Sequence, residues 1–240
     1  MKFLYLSIFL LAMSCGAPKS NTSKSEAGSS QNSETKIENQ LIVVLNNPNS
    51  IQNVKSLVKN SGLTWKDMIL DSPTSKIGVI EIPDGKYDFW IDRLQNTDEF
   101  RTVGVNSKEL ADELVNREKN TLISIRKTQC LGDCPAYEVY IDNLGNLTYT
   151  GNAYVIEKGI KKFKLSDKEF AILKEKLGKK SFTSFKEVYD NPRIMDLPST
   201  YITHDGKQIK IRLWSDDVPE ELMDINEYIE GILLEKKFFE

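Results

Sequence analysis

Three cysteines, one histidine and a scatter of acids are the residues of this 240-residue chain with the most chemistry to offer. Cys130 and Cys134 stand four apart in RKTQCLGDCPAYEVYI, with Gly132 between them and Pro135 directly after. Such a pair can hold a metal, exchange disulfides or close a covalent ring. A structural zinc site asks for four Cys or His ligands. With Cys15 set apart near the N-terminus, Cys130, Cys134 and His204 remain, and Asp133 or Asp196 would have to complete the set. Thiol exchange normally uses two intervening residues at a helix start, where the thiolate is stabilised. Here three intervene, between stretches that read as strands.

Other chemistry is sparse. The sequence holds no Gly-x-Ser-x-Gly elbow, no His-Glu-x-x-His and no glycine-rich phosphate loop after a strand. His204 abuts an Asp205-Gly206 turn, the place of a solvated hairpin histidine. Glu187, Asp190, Asp196 and Asp205 form a loose acidic group near Pro192 and Pro198 that reads as solvated loop charge, with a carbohydrate or cation role as the less favoured reading. Trp65, Trp90 and Trp214 read as packing residues.

Compartment limits what the cysteines can do. The chain opens MKFLYLSIFLLAMSCG: one positive charge at Lys2, an apolar run from Phe3 to Met13, then small residues around Cys15. A bilayer crossing needs roughly 20 apolar residues, so this run is expected to be a secretory signal, residues 1–14. Its Ala12-Met13-Ser14-Cys15 end resembles the lipobox of bacterial lipoproteins, in a relaxed form: Leu11 sits one place early and Met13 is bulkier than usual. The resemblance implies a lipidated Cys15 and attachment to a membrane of the cell envelope. Each buried acyl methylene contributes about 0.8 kcal/mol, and stable anchoring takes more than one chain. Residues 15–39 are then a Ser/Asn/Gly-rich tether with a mean reach of roughly 25 to 30 Å. The precursor carries a formal charge of −3, to which Lys2 contributes +1, so the chain after the leader stands at −4. An acidic balance argues against a nucleic-acid partner.

Residues 40–106 read as one unit. Leu41 to Asn46 is a β-branched apolar run suited to a buried strand, and Ser50 opens a helix with Ile51, Val54, Leu57 and Val58 on one face, ended by Gly62. Trp65 to Leu70, Lys76 to Pro83 and Arg101 to Val105 supply further strands, and Tyr87 to Leu94 an amphipathic helix with Phe89, Trp90 and Leu94. The order β-α-β-β-α-β predicts a ferredoxin-like sandwich. LIVVL, GVIEIP and YDFWIDRLQNTDEFRTVGVN resemble the propeptide and inhibitor family of subtilisin-like proteases. That resemblance implies protease inhibition through a tail entering the protease cleft. Two features depart from it: no protease domain follows, and residues 107–120, SKELADELVNREKN, read as a helical linker.

Residues 121–240 read as a second unit. A strand from Leu122 to Lys127 precedes the cysteine loop, and Tyr137, Val139 and Ile141 alternate with polar neighbours. Asp142 to Gly145 turns the chain into a meander through LTYTG, Asn152 to Ile156 and Lys161 to Leu165. Ser166 and Glu169 make a capping box for a helix with Phe170, Leu173 and Leu177; STYITH and QIKIRLW make a hairpin; Asp217 and Glu220 are expected to cap a last helix with Leu222, Ile225, Ile229 and Leu233. The whole is predicted to be α+β, two small domains, the second an antiparallel sheet with two helices. CLGDCPAYEVYIDNLGNLTYTG and MDLPSTYITHDGKQIKIRLW resemble an uncharacterised domain family of Gram-negative, Bacteroidetes-type envelope lipoproteins marked by C-x-G-x-C-P-x-Y, over about residues 121–235. Its core here is Cys130, Gly132, Cys134, Pro135 and Tyr137. The match implies a fold and a compartment, and no activity.

In an oxidising envelope the reading that suits Cys130 and Cys134 best is a disulfide, since Gly132 and Pro135 let the backbone turn tightly. A five-residue ring contributes about 2 kcal/mol by restricting the unfolded chain. A metal clip and a thiol redox pair remain the alternatives. The functional expectation is a non-enzymatic envelope binding module without a cofactor, held to the membrane by the lipid on Cys15 and meeting a protein partner. Inhibition of subtilisin-like proteases by residues 40–106 is the alternative.

Overall fold

The computed structural model describes residues 36–239 apart from Pro192, Met195, Leu213, Ser215 and Asp216. The expected leader, Cys15 and the tether as far as residue 35 lie outside the described residues.

The first sheet is built around a strand buried on both faces. In β1 (Lys36–Leu45), Leu41, Ile42, Val43, Val44 and Leu45 are all shut off from solvent. A strand can be apolar at every position when both faces are covered. After β1 come α1 (Ile51–Asn60), β2 (Thr64–Asp71), β3 (Lys76–Glu81), α2 (Tyr87–Gln95) and β4 (Phe100–Ser107). The sheet order is β2-β3-β1-β4, antiparallel throughout, which is the ferredoxin-like topology. Leu41, Val43 and Leu45 pack with Val54 and Val58 of α1 and Leu94 of α2. Ile42 and Val44 face the other way, against Leu114 of α3 (Lys108–Asn120). Trp65 lies across Gly78, where a Cβ would stand 2.0 Å from the indole.

Three local expectations shift. β1 begins at Lys36, so residues 36–39, assigned to the tether, belong to the sheet; Asn39 takes a left-handed φ of 57°, and the pairing with β4 slips between Lys36 and Leu41. Leu57 is 39% exposed and Phe89 is 56% exposed, each at the margin of its helix's apolar stripe. Ser50 precedes α1 but makes no side-chain cap.

The helical tail does form. Ser107 Oγ accepts from Leu110 N at 3.1 Å to start α3, which runs directly into β5 (Thr121–Lys127). Then follow β6 (Ala136–Asp142), β7 (Asn146–Ala153), β8 (Gly159–Lys164), α4 (Asp167–Gly178), β9 (Val188–Tyr189), β10 (Thr200–His204), β11 (Lys207–Ile211) and α5 (Glu220–Glu235). They make a seven-stranded sheet, β8-β7-β6-β5-β10-β11-β9. One of its faces packs Ile123, Ile125, Tyr137, Val139 and Ile141 against α4 and α5.

This sheet is mixed, where an antiparallel one was expected. Two-residue β9 runs parallel to β11, held by Lys210 N→Glu187 O at 2.8 Å and Arg212 N→Tyr189 O at 2.9 Å. Residues 152–156 are no separate strand: β7 extends to Ala153 and the chain then turns. Nor does Asp217 cap α5. Pro219 occupies the N-cap position, and Asp217 lies two residues upstream of it. Glu220 and Glu221 still place negative charge at that helix's positive end. At α4 the capping box of Ser166 and Glu169 forms in full.

Candidate functional site

The turn between β5 and β6, residues 128–135, is closed by the Cys130–Cys134 disulfide, with a Cα–Cα separation of 5.7 Å. Gly132 N points at Cys130 Sγ, 3.2 Å away, and Leu131, Gly132 and Asp133 project into solvent. At the base, Thr128 N donates to Ser199 O and Ser199 N to Thr128 Oγ1, each at 2.9 Å, so the loop is also pinned to the start of β10. With both sulfurs bonded, neither is a thiolate able to attack or to bind zinc.

Tyr137 of the motif looks away from solvent. Its hydroxyl donates to Glu230 of α5 at 2.8 Å, and its ring stacks on Phe239 at 5.2 Å. Lys127 pairs with the same Glu230. Burial, then the Glu230 charge, pushes the Tyr137 phenol well above its ordinary pKa. Tyr137 therefore clamps β6 onto α5 from behind the loop and stays a neutral hydrogen-bond donor.

The opposite face of the same strands lines a cleft. Residues in register across three strands, Tyr201, Arg126 and Glu138, form one row. The Arg126 guanidinium lies 4.0 Å over the Tyr201 ring, and its Nη2 donates to Asn46 O at 3.3 Å. That bond ties the seven-stranded sheet to the end of β1. The space between them measures about 690 Å³, bounded by Asn46, Asn47 and residues 95–98 on one side, Arg126, Glu138 and Tyr201 on the other, and Thr128 and Gln129 at the disulfide loop.

Most charges of this cleft are already answered. Arg101 at its floor pairs with Glu118 at 2.8 Å and Ser75 Oγ at 2.9 Å, leaving its buried Nε without a hydrogen-bond partner. Burial alone would lower the Arg101 pKa, but Tyr140, Glu118 and Glu138 outweigh it and hold the group charged. Arg117 stacks over Tyr140 at 4.6 Å, and the Tyr140 hydroxyl donates to Glu138 at 3.1 Å. Arg126 is shifted down, chiefly by burial, with Glu138 and Tyr201 offsetting only part of that.

The carboxamides are the cleft's free chemistry. Asn46 Nδ2 donates to Asp98 O at 2.7 Å, Gln95 Nε2 to Val103 O at 3.2 Å and Asn96 Nδ2 to Asp92 O at 2.8 Å. Each amide is thereby turned so that its oxygen is left to accept. Asn47 does the reverse, accepting from Asn49 N at 2.9 Å through Oδ1 and keeping its two N–H groups. Gln129 and Asn152 make no side-chain hydrogen bond to described residues.

Residues 121–233 match the DUF6438 family. The family is described as a domain of unknown function. No curated protein matches the chain. The matched region starts with β5 and ends within α5, taking in the disulfide loop, Tyr137 and the row Tyr201, Arg126 and Glu138. Asn46, Asn47 and residues 95–101 precede it, so the cleft lies where the matched region meets the four-stranded sheet.

The other residues singled out by the sequence do not gather here. His204 is half-buried beside a space of about 290 Å³: its Nδ1 lies 2.6 Å from Leu122 O and its ring meets Phe182 edge-on, so it is tied down where a solvated histidine was expected. Asp190 is held by Arg212 at 2.8 Å, away from Asp205 in the β10–β11 turn. Among the described residues no group of three or more His, Cys, Asp and Glu is placed to hold a metal. Arg126, Tyr201, Glu138 and the carboxamides escaped the sequence reading. Their one local signal was the polar half of the alternation in LISIRK, where Arg126 follows Ile123 and Ile125 on the opposite face.

Proposed function

We propose that the protein is a non-enzymatic binding module of the cell envelope, anchored through lipid on Cys15, and that its ligand is an uncharged, hydroxyl-rich molecule of the glycan class seated in the cleft beside the disulfide loop. The lining carries the proposal: amide oxygens of Asn46, Gln95 and Asn96 offered as acceptors, with Asn47 Nδ2 and Arg126 as donors. A hydroxyl both donates and accepts, so a polyol satisfies both sets, whereas an anion leaves the acceptors unmet and a cation the donors. Neutrality suits the charges too, because Arg101 and Lys127 already have carboxylate partners in Glu118 and Glu230. The apolar lining, Phe100 and Ala136, is buried and offers no pocket for successive peptide side chains.

Calorimetric titration with neutral oligosaccharides, and with uronic-acid oligosaccharides of the same length, tests this reading. Saturable binding of a neutral chain, weakened in Asn96→Ala and Arg126→Ala, is expected. Binding of the acidic set alone, or equal binding by those variants, contradicts it. Protease inhibition is disfavoured because β4 passes without a gap into α3, whose backbone groups are spent within the helix.

A further inference from the structure

The free edge of the seven-stranded sheet departs from the acidic character of the chain. β8 reads GIKKFK, and Lys158, Lys161, Lys162 and Lys164 crowd this edge. The C-terminal segment adds to it: Lys236 lies 4.4 Å over Phe163 of β8, with Lys237 next in sequence. Glu157 is paired with Lys161 at 2.7 Å, and Asp133 is the acid lining the adjoining hollow of about 800 Å³. Neither Lys158 nor Lys162 makes an ion pair with a described residue.

Large apolar side chains are turned outward on β8, on the turn that precedes it and on the disulfide loop. Leu131 at the tip of the disulfide loop is 86% exposed, Ile160 66%, Ile156 55% and Tyr154 54%. The loop and the 154–158 turn line the same hollow. Both are fixed. The disulfide closes one, and in the other Ile156 N and Glu157 N donate to Phe238 O at 2.9 and 3.1 Å. Gly151 lets that turn fold back so closely that a Cβ would stand 2.0 Å from Glu157 O. Tyr154 holds a left-handed φ of 52° there. Lysines alone would serve to keep a sheet edge from pairing with another. Exposed Leu, Ile and Tyr beside them defeat that purpose and call for an occupant.

We infer that this edge docks on an anionic lipid surface, with Leu131, Tyr154, Ile156 and Ile160 entering the headgroup boundary and the lysines meeting lipid phosphates. Basic and apolar side chains on one rigid rim are the two terms that hold a protein in a bilayer interface. Docking does not require the anchor on Cys15 but gains from it. Lipid on Cys15 would raise the local concentration of the edge at the membrane, so that a weak contact suffices to set orientation. The cleft and the edge are separate surfaces, though Gln129 borders the hollows on both sides of the disulfide loop.

The test uses the unlipidated chain from Gly16 to Glu240, which keeps the whole compact body Glu34–Glu240, sedimented with phosphatidylcholine vesicles and with vesicles holding about 30% phosphatidylglycerol. Binding to the anionic vesicles that falls at about 0.5 M salt is expected. Lys158→Glu with Lys162→Glu should weaken it at least about tenfold. Leu131→Asp, at an exposed tip where the fold has nothing to lose, should weaken it as well. Equal binding to both vesicle types, no binding at all, or unchanged binding by either variant overturns the proposal, and none of these results bears on the cleft.

Discussion

Arg126 shows how one side chain joins two layers. It stacks on Tyr201, reaches the Asn46 carbonyl and stands in register with Glu138. Truncation to alanine removes a ring contact and an interlayer hydrogen bond together, so Arg126→Ala is expected to lower stability by about 1–3 kcal/mol in urea denaturation as well as to impair the cleft. Tyr137→Phe is the matching change behind the loop. It leaves the ring stack and removes the hydroxyl from Glu230, at a cost of about 1.5–3 kcal/mol, because the acceptor is charged. Cleft binding should survive that change, since the Tyr137 side chain lies on the other face of β6. Residues of this kind are hard to read from a sequence. Cys130, Gly132, Cys134, Pro135 and Tyr137 sit within eight positions and announce themselves, whereas Arg126, Tyr201, Asn46 and Asn96 come from four distant segments that only the tertiary fold brings together.

At the scale of elements, helix starts divide the legible from the hidden. Ser166 and Glu169 could be read because a capping box is complete within four residues. Asp217 and Glu220 have the same spacing, but Pro219 fixes the entry to α5 and moves the cap. β9 was invisible for another reason: two residues carry no periodicity, and their parallel pairing to β11 depends on a loop docking from elsewhere. The α4 box makes a pH prediction. The Ser166 hydroxyl and amide hold the Glu169 carboxyl below its ordinary pKa of 4.5. A depressed folded pKa stabilises the fold above the unfolded value, and that contribution disappears as pH falls through the folded one. Wild type should therefore exceed Ser166→Ala in Tm at pH 7, with the gap narrowing as the pH falls through the folded pKa of Glu169. A gap that is constant with pH contradicts this. Losing the cap should cost about 1 kcal/mol. α3 carries a second expectation: with residues 108–120 helical, the chain should not inhibit subtilisin-like proteases at micromolar concentration, and slow stoichiometric inhibition with that tail protected from cleavage would reverse the reading.

For the molecule as a whole, the α+β class and the β-α-β-β-α-β order of the first sheet were legible because long apolar runs and clear helical faces specify them. The joining of the two sheets was not, because it runs through Arg126, whose guanidinium donates to the Asn46 carbonyl just past β1 from a strand whose other face carries the core. Anchoring belongs to this scale. Cys15→Ala is expected to release the protein from the lipid fraction, and unchanged detergent partitioning with no lipid mass on the N-terminal peptide would remove the anchor from the account. The central claim is that the space between the seven-stranded and the four-stranded sheet is a ligand site. Hydrogen-exchange mass spectrometry of the chain, free and saturated with the tightest neutral oligosaccharide, tests it most directly: slowed exchange at residues 46–47, 95–101 and 126–129 is predicted, and bound ligand that leaves all three unchanged, or protects the His204 side instead, would contradict it.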